Sequence, residues 1–179
     1  MTKEELRIQL QKKRDLLLDN EAESRKIAEK ILHAPFFGEA VSVMLYRSAR
    51  SEVITDYLWQ KCMEAGKICL FPKCISKTEM IAVKADSSGD FQEGRYGIFE
   101  PISDVSYPKE QIDLIIVPGL GFDKRKYRIG YGAGYYDRYL SDYSGITVGL
   151  CREELLTESV LPDVYDVKLS FIATQKEIF

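Results

Sequence analysis

Between Asp123 and Arg138 the chain runs Asp-Lys-Arg-Lys-Tyr-Arg-Ile-Gly-Tyr-Gly-Ala-Gly-Tyr-Tyr-Asp-Arg, which sets glycines at 130, 132 and 134 among five cationic side chains and two carboxylates. Residues of these types in this order suit a polyphosphate and its metal ion. Arginine forks onto phosphate oxygens, while glycine lets the backbone approach an anion and turn successive N–H groups toward it at positive φ. The run is neither a Walker A sequence nor the G-x-G-x-x-G of dinucleotide folds, and on glycine spacing alone a surface turn is the bland alternative. Arg128 ahead of the glycines and Tyr135-Tyr136-Asp137 behind them favour the phosphate site. Lys124, Arg125 and Lys126 fit a solvated hairpin tip, which leaves Arg128 as the clamp.

Other side chains capable of chemistry are sparser. Lys3 and Arg7 stand four apart on one helix face, either as surface charge or as a reach toward phosphate. Glu52 falls just after a strand and before a helix start, where it is a dipole-favoured loop carboxylate or an acceptor for a ligand in a cleft. His33, the one histidine, sits at a helix end and suits the C-terminal dipole better than catalysis. Imidazole-centred acid–base chemistry therefore has little support. Cys62, Cys69, Cys74 and Cys151 form no C-x-x-C pair, so they are read as reduced thiols, and a zinc site is not expected.

These residues need elements to position them. Thr2-Lys-Glu-Glu5 is a capping box, predicting a helix to about Leu18, and a second helix follows from about Glu21 to Leu32 before Ala34-Pro35. Strands are predicted at Val41 to Tyr46, Lys67 to Pro72, Met80 to Lys84, Ile112 to Pro118, Ile146 to Leu150 and Lys168 to Thr174, with helices from Thr55 to Ala65 and from Tyr135 to Leu140. Asp86 to Pro108 is read as loop with a short extended piece at Gly97 to Phe99. The glycine run then falls at a strand-to-helix junction, where a helix N-terminus attracts phosphate.

The expected fold is a single α/β domain over residues 1–179, three-layer α/β/α with a mostly parallel, Rossmann-like sheet and ligands at the carboxyl ends of its strands. Charged residues make up 30% and the formal charge is −3, a globular and mildly acidic balance that argues against wrapping nucleic acid. No apolar run is long enough to span a membrane, and Met1-Thr-Lys-Glu-Glu lacks the apolar core of a secretory signal, so a cytoplasmic protein without membrane partners is expected.

Asp113-Leu-Ile-Ile-Val-Pro-Gly-Leu-Gly-Phe-Asp123 together with Arg128-Ile-Gly-Tyr-Gly-Ala-Gly-Tyr-Tyr-Asp137 resembles the 5-formyltetrahydrofolate cyclo-ligases, also called 5,10-methenyltetrahydrofolate synthetases. Lys3-x-x-x-Arg7, Glu52-Val-Ile-Thr55, Phe71-Pro72-Lys73 and Tyr96-Gly-Ile-Phe-Glu-Pro101 extend the resemblance over essentially the whole chain. It implies conversion of 5-formyltetrahydrofolate to 5,10-methenyltetrahydrofolate with ATP and Mg²⁺, by phosphorylation of the formyl oxygen and closure by N10. By position it implies that Lys3, Arg7, Arg128, Ile129, Gly130, Tyr131, Gly132, Ala133, Gly134, Tyr135 and Tyr136 hold ATP. Glu52, Tyr131, Gly132 and Tyr135 would meet the folate, Arg128 and Tyr135 would act in catalysis, and Asp137 would bind Mg²⁺. Ser170 stands where the family commonly carries an acidic residue, with Asp166 or water as its substitute. A monomer is expected. The alternatives are a nucleotide- or folate-binding homologue without turnover and an enzyme of sugar phosphates or coenzyme A esters.

Overall fold

The computed structural model describes residues 1–94 and 97–179, so Tyr96 of the resemblance lies outside the described residues. Helix α1 (Lys3–Asp15) begins as its capping box dictates. Thr2 Oγ1 accepts from the Glu5 N–H at 3.2 Å, and Glu5 Oε2 accepts from the Thr2 N–H at 2.7 Å. It stops short of the expected Leu18, because Leu16 and Leu18 are exposed and no buried face carries the helix on. Helix α2 (Asn20–Leu32) follows, capped by His33, whose Nδ1 lies 2.7 Å from the Glu29 carbonyl oxygen. Pro35 does not merely end it but opens a short α3 (Pro35–Glu39), where its missing N–H costs nothing.

The chain then alternates strand and helix: β1 (Ser42–Met44), α4 (Asp56–Glu64), β2 (Ile68–Cys74), β3 (Met80–Lys84), β4 (Phe91–Glu93), β5 (Phe99–Pro101), β6 (Leu114–Val117), β7 (Gly121–Asp123), β8 (Arg128–Ile129), α5 (Tyr135–Leu140), β9 (Ile146–Leu150), β10 (Leu156–Thr157) and β11 (Phe171–Ala173). The main sheet has the order β11-β9-β6-β1-β2-β3, with every pair parallel except the β2–β3 hairpin. Taken in chain order, its parallel strands lie second, first, third, fourth, fifth. This is a doubly wound sheet whose strand order reverses between β1 and β6, and ligands of such sheets sit at the carboxyl ends of those two strands.

Both faces are covered. Ile27, Ile31, Leu58 and Trp59 from α2 and α4 pack on Val43, Leu45, Leu114 and Ile116, while Leu6, Leu10 and Leu140 from α1 and α5 pack with Met44, Ile115, Val117 and Ile172. Successive β6 residues thus enter opposite cores, which is why the strand is apolar throughout rather than alternating. Among the described residues no helix is long and apolar enough to cross a membrane.

Two readings need correction. The 86–108 segment contains the β4–β5 hairpin rather than one extended piece. The glycine run leaves β8, not β6, because β7, β8 and β10 form a small extra sheet between β6 and α5. Asp123, with no exposed surface, ties the β7–β8 turn by accepting from the N–H groups of Arg125 and Tyr127 and, across the small sheet, from that of Val160.

Candidate active site

The loop after β1 carries Glu52, which is 8% exposed. Its backbone N–H donates to the Ala49 carbonyl at 3.2 Å while Oε2 accepts from the Ala49 N–H at 2.8 Å, so the carboxylate folds back over its own turn. Asn20 Nδ2 fixes the Glu52 carbonyl at 2.9 Å, and Thr55 spends its hydroxyl on the Tyr46 carbonyl at 2.5 Å instead of capping α4. Oε1 of Glu52 accepts from Tyr131 Oη at 2.9 Å. Burial pushes the Glu52 carboxyl above the usual carboxylate range, opposed by the Ala49 N–H, the Tyr131 hydroxyl and the charges of Arg14 and Arg50. It is a buried acceptor turned toward the glycine loop.

That loop brings the predicted residues together. Arg128 is 7% exposed, its Nη2 lies 2.9 Å from Asp137 Oδ2, its guanidinium sits 5.5 Å from the Tyr136 ring centroid, and its Nε is buried with no hydrogen-bond partner. Gly130 leaves room for this arginine, since a Cβ there would stand 2.6 Å from Arg128 Nη1. Gly134 supplies the positive φ, +70°, that turns the chain into α5. Ile129 buries its side chain in the core, so only its backbone can face a ligand. Among the described residues the N–H groups of 131–134 donate to no protein acceptor, and Tyr131, Gly132 and Ala133 are exposed. Tyr135 Oη donates to the Ser76 carbonyl at 2.9 Å, and the hydroxyl of Tyr136 is buried without a partner.

Helix α1 closes one side. Arg7 Nε donates to the Gly130 carbonyl at 3.0 Å and Nη1 pairs with Glu4, while Lys3 bonds Asp163 at 2.8 Å and also Asp166. Desolvation pulls the Lys3 ammonium down, and the bonds and charges of Asp163 and Asp166 outweigh it, leaving Lys3 above its ordinary value. The segment carrying Asp166 also touches Asp137, whose Oδ1 lies 3.5 Å from the Val167 nitrogen. Ser170 is engaged elsewhere: its Oγ accepts from the Thr147 N–H at 3.1 Å. Of the two positions in the closing segment, Asp166 is the carboxylate, and it pairs with Lys3 of α1. Among the described residues no three His, Cys, Asp or Glu side chains gather into a ready metal site, so a cation here would draw on Asp137, Asp166 and ligand oxygens.

The rest of the basic run is occupied as a surface tip: Lys124 pairs with Glu177, Arg125 with Asp123, and Lys126 Nζ donates to the Ser170 carbonyl. Sequence reasoning missed Arg14, which is 2% exposed, donates from Nε to Ser51 Oγ at 3.0 Å and places its guanidinium 5.5 Å from the Tyr131 ring centroid. Its signal was present, since Lys3, Arg7 and Arg14 share one stripe of α1. It also missed Arg138, which bonds the Ala133 and Thr78 carbonyls at 2.6 and 2.7 Å and braces the loop. The assembled arrangement offers a buried carboxylate for a ring with N–H donors, and beside it a cationic, glycine-backed wall for phosphate.

The family model of the 5-formyltetrahydrofolate cyclo-ligases matches residues 1–175. A probable 5-formyltetrahydrofolate cyclo-ligase of Schizosaccharomyces pombe is 28% identical over 176 residues, covering 88% of this chain and 86% of that protein. The solved 5,10-methenyltetrahydrofolate synthetase of Aquifex aeolicus superposes with a TM-score of 0.88 at 30% identity, covering 99% of this chain and 92% of that one. The synthetase from Mycoplasma pneumoniae gives a TM-score of 0.80 at 26% identity, covering 98% and 99%. Fold and sequence agree over nearly the full length, and the chain belongs to the 5-formyltetrahydrofolate cyclo-ligase family of enzymes.

Proposed function

We propose that this enzyme converts 5-formyltetrahydrofolate to 5,10-methenyltetrahydrofolate at the expense of ATP, with Mg²⁺, in the site just described. The observation that carries the proposal is the Tyr131–Glu52 hydrogen bond, because it joins the cationic glycine loop and the buried carboxylate into one continuous site. A pterin needs an acceptor for its ring N–H groups, and a triphosphate needs cations and free backbone N–H groups. Both halves lie within one tyrosine's reach.

The residues fit the phosphates. Arg128 has an orphaned Nε, and its only ion-pair partner among the described residues is Asp137, a natural metal ligand. Bound phosphate would take the guanidinium, freeing Asp137 to join Asp166 in holding Mg²⁺, which neutralises charge on the phosphate oxygens. Lys3 and Arg7 flank the loop and add positive charge, and the N–H groups of 131–134 supply donors that need no reorganisation. The formamide oxygen of the substrate is a poor leaving group, and phosphorylation makes it a good one. The formyl oxygen takes the γ-phosphoryl group as the bond to ADP breaks. N10 then bonds to the formyl carbon, its proton goes to solvent, and the carbon–oxygen bond breaks to release phosphate. No strong general base is required, which suits a site rich in Arg, Lys and backbone N–H.

Glu52 accepts from the pterin N–H groups, and Tyr131 must leave it when the folate enters. Tyr135, anchored on Ser76, forms the wall between formyl group and phosphate. Ser170, spent on Thr147, takes no part in holding the metal in this reading, and Asp166 is the carboxylate of the closing segment that does. The test is near-ultraviolet absorbance with 5-formyltetrahydrofolate, ATP and Mg²⁺, and with each omitted in turn. A methenyl chromophore that needs all three and rises in step with ADP is expected. Folded protein that binds nucleotide or folate yet makes no chromophore would refute turnover.

A further inference from the structure

Arg14 is a charged side chain buried where no ion pair requires it. Burying a guanidinium is costly unless its donors are met, yet among the described residues no carboxylate lies within salt-bridge range of it. Nε donates to Ser51 Oγ at 3.0 Å, Nη2 to Gln11 Oε1 at 3.3 Å, and Nη1 is buried with no partner. A cation in the last turn of α1 is favoured by the helix dipole, but Lys12 and Lys13 serve there while staying in solvent. The dipole does not explain burial. What the guanidinium faces does: the Tyr131 ring, 5.5 Å away, and the turn holding Ser51 and Glu52.

We infer that Arg14 is a positioning residue for the folate half of the site, holding Tyr131 over Glu52 in the free enzyme and standing as the buried counter-charge of Glu52 once Tyr131 withdraws for the substrate. The inference rests on the reading of Glu52 as the folate acceptor. Its logic is electrostatic. With Tyr131 gone, Glu52 keeps the Ala49 N–H but loses its hydroxyl donor, in a setting where burial already favours the protonated form. A protonated carboxyl accepts poorly from ring N–H groups. The other groups facing Glu52 are Arg50 on its own turn, Tyr46 from β1, Tyr131 from the loop and Tyr136 from α5. Arg50 is exposed, so Arg14 is the one buried cation among them.

The test is steady-state kinetics of Arg14→Met, Arg14→Lys and Ser51→Ala in the chromophore assay, between pH 6 and 8. Losing a charge-assisted contact predicts that Arg14→Met raises KM for 5-formyltetrahydrofolate about tenfold or more while KM for MgATP stays put. Its folate KM should also become pH-dependent, worse at pH 6 and recovering toward pH 8, whereas the parent and Arg14→Lys stay flat. Ser51→Ala, which removes the acceptor aiming Nε together with the hydroxyl that donates to Asp15 Oδ1 at 2.5 Å, should raise folate KM by about threefold and carries the test if Arg14→Met does not fold. Equal rises in both KM values, or a folate KM with the parent's pH profile, would overturn the inference in favour of a packing role. Glu52→Gln separates the failures: if it leaves folate KM unchanged the folate reading is wrong, and if it alone raises folate KM only the role of Arg14 is wrong.

Discussion

The proposed site turns on how closely Arg128 is fitted. Arg128→Ala should lower kcat by about a thousandfold or more, in keeping with the worth of an arginine on a transferring phosphoryl group, while the melting temperature stays near the parent's. Gly130→Ala tests the fit itself. Its Cβ would meet the flexible end of Arg128, so the cost falls on the position of the guanidinium rather than on the fold, and kcat should drop roughly a hundredfold with an unchanged melt. A lowered melting temperature with normal kcat would contradict that. At this scale the cationic run was legible because type and order are local: Lys124, Arg125 and Lys126 are spent on Glu177, Asp123 and Ser170, while Arg128 is buried beside the glycines. Of Arg14 the sequence shows only its place on the α1 stripe, since its burial is set by Ser51 and Tyr131, 37 and more positions away.

At the scale of elements, the proposed site depends on β1 and β6 lying side by side and parallel, with Met44 paired to Ile115. Asp113 fastens them at the other end, accepting from the N–H groups of Val41 and Ser42 at 2.8 and 2.9 Å and from the Ser42 hydroxyl at 3.1 Å. The Ser42 N–H leads in holding its carboxyl below the usual range, helped by Val41 and opposed by desolvation. A depressed pKa means stability that is present above the unfolded value and lost as pH falls through the folded one. Asp113→Asn should therefore melt a few degrees below the parent at pH 7, and the gap should close as pH drops below about 4. A gap that persists at pH 2.5 would contradict the assignment. Long periodic elements were legible: the capping box starts α1, and β3, β9 and α5 have the expected bounds. The small strands β7, β8 and β10, of two or three residues each, are too short to show a period, and α3 was hidden because Pro35 signals a stop as readily as a first turn.

For the whole molecule, the doubly wound sheet places the site where strand order reverses, so α1, the β1 loop and the glycine run converge from distant parts of the chain. Alternating strands and helices made the parallel sheet legible, but which strands neighbour which is decided by packing on both faces, and no local pattern carries it. Convergence makes ligand binding a global stabiliser. At about a hundred times its Kd, MgATP should add about 2.7 kcal/mol and raise the melting temperature by roughly 5–10 °C. Asp137→Asn and Arg128→Ala should lose most of that shift, and a full shift in both would place the nucleotide elsewhere.

The central claim is that the formyl oxygen itself is phosphorylated between the Arg128 loop and Glu52. It is tested most directly by turning over 5-formyltetrahydrofolate carrying ¹⁸O in the formyl group and measuring the label in the released phosphate by mass spectrometry. One ¹⁸O per phosphate is predicted; label recovered in water, with unlabelled phosphate, would contradict it.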